Sequence, residues 1–600
     1  MSKMLGVFGG LPPSLDKSVL LKTIDPLSHL VLLSRDVEDG FLAASFLAAT
    51  PLPGERLLEE GDHIVMLSGD LVGTPTIPWQ QILNVVKNGD HKSLRAYRGN
   101  FALAHYHKAE KTVTLVSDRR GQHPVYYRTG PLSFAFSTEL ATFCRLKEQP
   151  VFNENWLHEY FFFNYPVGQT TALRGVNRLP PATVLRFSLR DSTASWSTYA
   201  DVFQPQPRLL GSPRSYELAT ALFKERIPAN FQGADSIACA LTSGWDGRTL
   251  LAFAPDRQKV LTYTYGVKGC QDLREAESTA HKVGVRHRKI LFDEEFVRRL
   301  PQLMTDTVYL SGGSEKILRS TLLHVYHNLT DAGTKLPLTI SGIGMDGIWR
   351  GHSQPPAIVS ADMADVFRSG VPEIREPFWS DVFPDHFSDF KEGIQEKLSY
   401  LRRTFGDFRS PGHHLLFKLY VTHPELFGGE LKIAEHFTTV RVPAWDPDLI
   451  DLAFSVRESG LTFSELAGHQ RGDISEVKLQ AHVLRQVSPL MARIPVGSTR
   501  PDIVLQGRLC RSAYGIYRRM TNRMKALTLS YSPLEDWGNW LNIVHRDFID
   551  SLIFSDSSLL SDHVGKGFIE HVRQSGDIHW IGKLATAEIV LRLVKNGWQK

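Results

Sequence analysis

Apolar and polar positions change their rhythm once along the chain. Through the first two hundred residues, short apolar or alternating runs at 30–33, 64–67, 101–106 and 113–117 are separated by turn residues at strand-like spacing, which predicts a β-rich first half. The most apolar internal stretch, residues 41–50 before Pro51, is about half of the ~20 residues that cross a bilayer, and it reads as a buried helix. From about Tyr216 the texture shifts to helical patterns alternating with short apolar runs at 236–241, 260–265 and 336–340. That order favours a parallel sheet with helices on both faces. The Pro-rich, basic segment QPQPRLLGSPR at 204–214 marks a domain boundary, and after about Pro355 the chain reads as mostly helical with long loops.

Composition narrows the picture only by exclusion. The 600 residues carry 68 basic and 64 acidic side chains, a net charge of +4, so no whole-protein electrostatic mode toward nucleic acid or membrane is expected. Four cysteines, Cys144, Cys239, Cys270 and Cys510, lie far apart with no CxxC pair, which excludes a disulfide framework and a structural zinc site. A reducing, cytoplasmic setting follows. No secretory h-region and no membrane span are read from the sequence.

Two stretches carry chemistry. In DSIACALTSGWDGRTLLAFA an apolar strand runs into Thr242, Ser243, Gly244, Trp245, Asp246 and Gly247 before a helical pattern starts. Strand, small-residue turn and helix start aim backbone N–H groups and a helix dipole at one spot, which suits phosphate. Asp246 there would repel phosphate unless a cation such as Mg²⁺ intervened. In LPLTISGIGMDGIWRGH a second strand leads into Ser341, Gly342, Ile343, Gly344, Met345, Asp346 and Gly347. Two such strand ends in one parallel sheet can meet at its carboxyl edge, with two carboxylates sharing one Mg²⁺ on a pyrophosphate. The bland alternative for the first stretch is a tight turn with Asp246 as an N-cap.

These residues bear a resemblance. Residues 242–247 look like the SGGxDS pyrophosphate loop of ATP pyrophosphatases, and 342–347 look like the GxGxDE loop of the asparagine synthetase family. RVPAWDPDLIDLAF at 441–454 resembles that family's RxPFLD motif, and in the first half GVFGG, SGDLVG, YRGNFALAHY and SDRRGQHPVYY follow in the family's order. The resemblance implies an αββα Ntn-hydrolase-like glutaminase domain over 1–205. It implies a parallel-sheet ATP-pyrophosphatase (adenine nucleotide α-hydrolase-like) domain with a helical extension over 206–600. It implies ATP and Mg²⁺ as cofactors: Asp246 and Asp346 as metal ligands, Thr242, Ser243 and Gly244 as phosphate cradle with Gly247, Gly342 and Gly344, the segment around Thr264 on the adenine side, and Asp272 with Glu275 as the acidic segment.

The departures from the family redirect the function. The family's nucleophilic Cys at position 2 is Ser2; its Asn-Gly-Glu is Ser68, Gly69 and Asp70; and the acidic residue before the Gly of the next strand is Arg98. Glutamine hydrolysis is therefore not expected. Gly247 replaces a loop serine, and Arg248 beside it is a candidate cationic fork to phosphate. The family's late catalytic lysine is missing, so Arg500, with Lys478 second, is the candidate substitute. Basic residues crowd 485–525, with Asp502 the one acid among them, which reads either as a solvated face or as a dock for an anionic partner.

The expected activity is an ATP- and Mg²⁺-dependent carbon–nitrogen ligase that adenylates a carboxylate and couples it to an amine, as in lasso peptide cyclases and β-lactam synthetases. A precursor peptide and its leader protease are the expected partners, with no nucleic acid. A glutamine- or ammonia-using amidotransferase and a non-catalytic scaffold are the alternatives.

Overall fold

The structure, a computed structural model, describes residues 2–9, 16–146, 150–200, 213–330, 336–345, 374–406, 416–455, 478–496, 500–506, 508–526 and 532–599. Its first half contains β1 (Lys3–Phe8), β2 (Val31–Val37), β3 (Gly40–Phe46), β4 (Leu57–Glu60), β5 (His63–Gly69), β6 (Phe101–His107), β7 (Thr112–Ser117), β8 (Tyr126–Gly130), β9 (Ser133–Ser137), β10 (Asn177–Arg178), β11 (Thr183–Ser188) and β12 (Ala194–Thr198). They form two antiparallel six-stranded sheets, in the orders β10-β8-β9-β1-β3-β2 and β12-β11-β7-β6-β5-β4.

Side-chain alternation assigns each face. Met4, Phe8, Leu42 and Ala44 meet Ile64, Met66, Ala102 and Ala104 between the sheets. Leu5, Val7, Phe41 and Ala43 point the other way, into the apolar cluster that also takes in the helix Glu154–Phe163. The outer face of the second sheet is covered by Ile82, Leu83, Val85 and Val86 of the helix Trp79–Asn88. The result is an αββα sandwich. It also corrects the helix expected over 41–50, where β3 stands between β1 and β2. Both faces of β3 are buried, so the period-2 signal is erased and an apolar run is left that fits either element.

The second half is built on β13 (Ile237–Ala240), β14 (Val260–Gly266), β15 (Arg286–Leu291), β16 (Leu338–Ile340) and β17 (Thr439–Arg441), all parallel, in the order β15-β14-β13-β16-β17. The three predicted apolar runs are its central strands. The two edges escaped prediction because β15, RHRKIL, carries four basic side chains, and β17 is only three residues long. The boundary segment at 204–214 lies almost wholly outside the described residues. The region beyond is helical and ends in the largely buried helix Ile578–Lys595, with Trp540 and Trp598 buried as core anchors. One apolar cluster runs from Leu5 through Phe161 to Leu584, so the halves share a core. Among the described residues no helix is long and apolar enough to cross a membrane.

Glu315 tests this shared core. It is 3% exposed, its Oε2 has no hydrogen-bond partner, and burial pushes its carboxyl up to about 7 against the opposing pull of Arg319. A folded-state value above the ordinary 4.5 means that the stabilising contribution is full below about pH 4.5 and is lost as pH rises through 7. Glu315→Gln should therefore remove roughly 2 kcal/mol of the decline in unfolding free energy between pH 5 and 7.5, read from urea midpoints. Equal declines in both proteins would refute the burial account.

Candidate functional site

The chain leaves β13 to build β14 and β15 on one side, then crosses to β16 and β17 on the other. The crevice at the carboxyl ends of β13 and β16 is thus the switch point of the sheet, where open α/β sheets bind ligands. Both glycine loops lie there, and they touch. A Cβ placed on Gly342 would sit 3.1 Å from that of Asp246, and one on Gly247 would sit 2.1 Å from the carbonyl oxygen of Ala240. No side chain fits at 247, so glycine there is a steric requirement. Gly344 takes the left-handed region at φ +81°, and a Cβ there would fall 2.5 Å from Nε1 of Trp445.

Of the predicted site residues, the structure gathers several at this crevice. Thr242 is exposed, while Ser243, Gly244 and Asp246 are half-buried. The Ser243 amide donates to Asp272 Oδ1 at 2.8 Å and the Gly244 amide to Thr242 Oγ1 at 3.1 Å, so both loop amides are engaged within the chain. Gln480 Nε2 donates to Asp246 Oδ1 at 3.2 Å, while its Oε1 accepts from Thr249 at 3.0 Å. Gln480, which the sequence reading missed, thus orients the carboxylate. Lys478 opens the same helix, Lys478–Val487. Asp346 lies outside the described residues.

Three expectations change. Arg248 is fully buried, with Nη1 donating to the Ile494 carbonyl at 2.7 Å and Nη2 to Thr279 at 3.5 Å, so it braces the helix start against the core and is not a phosphate fork. Thr264 is buried and its hydroxyl donates to the Leu241 carbonyl, a bond between neighbouring strand ends. Arg500 forms a two-pronged pair with Asp502 and lies 5.7 Å from the Tyr514 ring, so its guanidinium is held within its own segment.

Mg²⁺ is an oxygen-seeking ion that keeps several waters and leans on one or two carboxylates plus substrate phosphates. Asp246 at the loop edge fits such a donor set. Among the described residues no group of three or more His, Cys, Asp or Glu side chains could hold a metal ion by itself.

The first half is organised differently. Ser2 is fully buried, its Oγ accepting from the Gly69 amide at 2.8 Å. Ser68 Oγ donates to the Ser2 carbonyl at 2.7 Å and lies 2.7 Å from His123 Nε2, and His123 Nδ1 lies 3.5 Å from Glu435 Oε2. This has the order of a nucleophile, base and acid, yet Ser68, His123 and Glu435 are all buried, and the Ser68 hydroxyl is engaged by backbone. Asp70 Oδ2 meets Arg441 Nε at 2.7 Å with both side chains buried. Arg98 pairs with Asp446 at 3.1 Å and Asp448 at 2.5 Å. The positions expected to grip glutamine are therefore joined to the second half of the chain. Asp118 shapes this edge, its carboxylate accepting from the amides of Arg120, Gln122 and His123 at 2.8, 3.2 and 2.9 Å.

Residues 80–200 match a family model described as a glutamine amidotransferase domain. The first half thus carries a domain of glutamine amidotransferase type. No curated protein matches the chain. Among solved structures, glutamine phosphoribosylpyrophosphate (PRPP) amidotransferase from B. subtilis, complexed with ADP and GMP, aligns at 10% identity and a TM-score of 0.22, over 48% of this chain and 65% of that one. The allosteric regulatory enzyme of purine biosynthesis aligns at 11% identity and 0.22, over 48% and 64%. The chain spans less than two thirds of either, and likeness at this level says nothing of what it binds.

Gly247→Ser should lower stability by about 1 to 3 kcal/mol through overpacking against Ala240, read as a drop in melting temperature. Wild-type stability with improved ATP binding would contradict the steric account.

Proposed function

We propose that the chain is an ATP- and Mg²⁺-dependent amide-forming ligase of asparagine synthetase type, whose glutamine amidotransferase-like half no longer hydrolyses glutamine. In such a reaction the substrate carboxylate attacks the α-phosphorus of ATP with release of pyrophosphate, and an amine then displaces AMP to form the amide. A bound Mg²⁺ would neutralise charge on the leaving pyrophosphate. The observation that carries the reading is the contact of the two glycine loops at the switch point, with Asp246 against Gly342.

The roles of the chain's own residues follow from their placement. The Ser243 and Gly244 amides would serve as phosphate donors by exchanging their bonds to Asp272 and Thr242 for phosphate oxygens. Gln480 holds Asp246 in the orientation that meets a cation. Of the two candidate cations, Lys478 shares a helix with Gln480, whereas Arg500 is engaged by Asp502. Lys478 is therefore the stronger candidate to meet phosphate charge. The amine comes from the substrate, as in lasso peptide or lactam cyclisation, with a precursor peptide and its leader protease as partners.

The match over 80–200 favours one other reading, a glutamine-using amidotransferase acting through Ser2. Against it stand Asp70 and Arg98, whose charges are engaged by Arg441, Asp446 and Asp448. Mg-ATP titrated calorimetrically should bind the wild-type chain, and Asp246→Asn should weaken binding at least ~10-fold, about 1.4 kcal/mol. The chain should release no glutamate from glutamine. Glutamate release that disappears in Ser2→Ala would establish the amidotransferase reading instead, and absence of Mg-ATP binding would remove the ligase.

A further inference from the structure

The loop Ser341–Met345 is gripped from three sides, and two of the grips lead back to the first half of the chain. At its start, the Ser341 amide donates to the Arg441 carbonyl at 3.0 Å, and Arg441 sends its guanidinium to Asp70 and to the carbonyl oxygens of Asn230 at 3.0 Å and Gln232 at 2.7 Å. At Gly344 the loop lies against the indole edge of Trp445. Trp445 is itself covered by Arg120, whose guanidinium carbon lies 4.7 Å from the ring, and Arg120 Nη2 donates to the Leu419 carbonyl at 2.8 Å. On the third side Gly342 abuts Asp246.

We infer that Asp70 and Arg120, from the glutamine amidotransferase-like half, are positioning residues for the second glycine loop: Asp70 acts through Arg441 on Ser341, and Arg120 acts through Trp445 on Gly344. The inference rests on the reading of the two loops as a nucleotide site. Each acts on the loop through another residue, Arg441 or Trp445, and so is a positioning residue and not a catalytic one. A buried guanidinium stacked on an indole fixes both planes, since the cation–π attraction strengthens as water is excluded. A glycine loop in the left-handed region has no side chain of its own to hold it, so its conformation depends on the surfaces it touches. The first half is retained, on this account, because it supplies one of those surfaces.

Arg120→Met removes the charge and keeps most of the volume, and Trp445→Phe narrows the ring that faces Gly344. Amide hydrogen exchange at 341–345 should accelerate at least ~10-fold in each variant, while exchange in β5 and β6 stays at wild-type rates. The Kd for Mg-ATP should rise at least ~10-fold in both, measured at a temperature where each variant is folded. Trp445→Phe stands alone as the test where Arg120→Met does not fold. Exchange at 341–345 and Mg-ATP affinity both within twofold of wild type in a folded variant would overturn the inference. Where the wild-type chain binds no Mg-ATP, the nucleotide reading fails, and the exchange rates still decide whether these residues hold the loop.

Discussion

The ion pair between Asp70 and Arg441 is the constraint on which the arrangement depends. Each charge is almost completely buried, at 2% and 3% exposure, and each comes from a different half of the chain. A buried charge without its partner costs several kcal/mol, so neither half can keep its own member of the pair unless the other is docked against it. The Arg441 guanidinium is further used by the carbonyls of Asn230 and Gln232, which ties the pair to the segment leading into β13. One interaction therefore fixes the edge of the parallel sheet, the entry to its first strand and the end of β5.

Around this pair the joint is unusually polar. Lys3 and Lys432 flank Glu139 at 2.9 and 3.1 Å, and Lys3 also reaches His436, while Arg98 bridges Asp446 and Asp448. Buried pairs add little net stability compared with apolar packing, but they penalise every misaligned arrangement. A joint of this chemistry holds one geometry. That is what a site assembled from two glycine loops requires, because such loops bring no bulky side chains with which to hold themselves. Asp70 and Arg98, two of the positions expected to grip glutamine, meet Arg441, Asp446 and Asp448 across this joint.

Much of this was legible in the sequence, and the failures have identifiable causes. The central strands β13, β14 and β16 stood out because strands buried on both faces of a parallel sheet are continuous apolar runs. The same property disguised β3 as a helix. The glycine loops were readable because their chemistry is local, residue next to residue. Arg248 was misread for a related reason, since its position beside the loop suggested a phosphate contact and only the fold shows its guanidinium turned to Ile494. The joint was illegible because its partners are remote: Asp70 and Arg441 are 371 positions apart, and Arg98 and Asp448 are 350 apart. Asp70 and Arg98, which read as departures from a glutamine site at one end of the chain, have their charged partners at the other.

The edge that carries Asp70 serves as a joint between the halves, with the Asp70–Arg441 pair as its keystone. A double-mutant cycle on unfolding free energy, with Asp70→Asn, Arg441→Met and the pair combined, measures that directly. The account predicts a coupling of about 2 kcal/mol or more, because either single change strands a buried charge and the double change strands none. A coupling within about 0.5 kcal/mol of zero would contradict it.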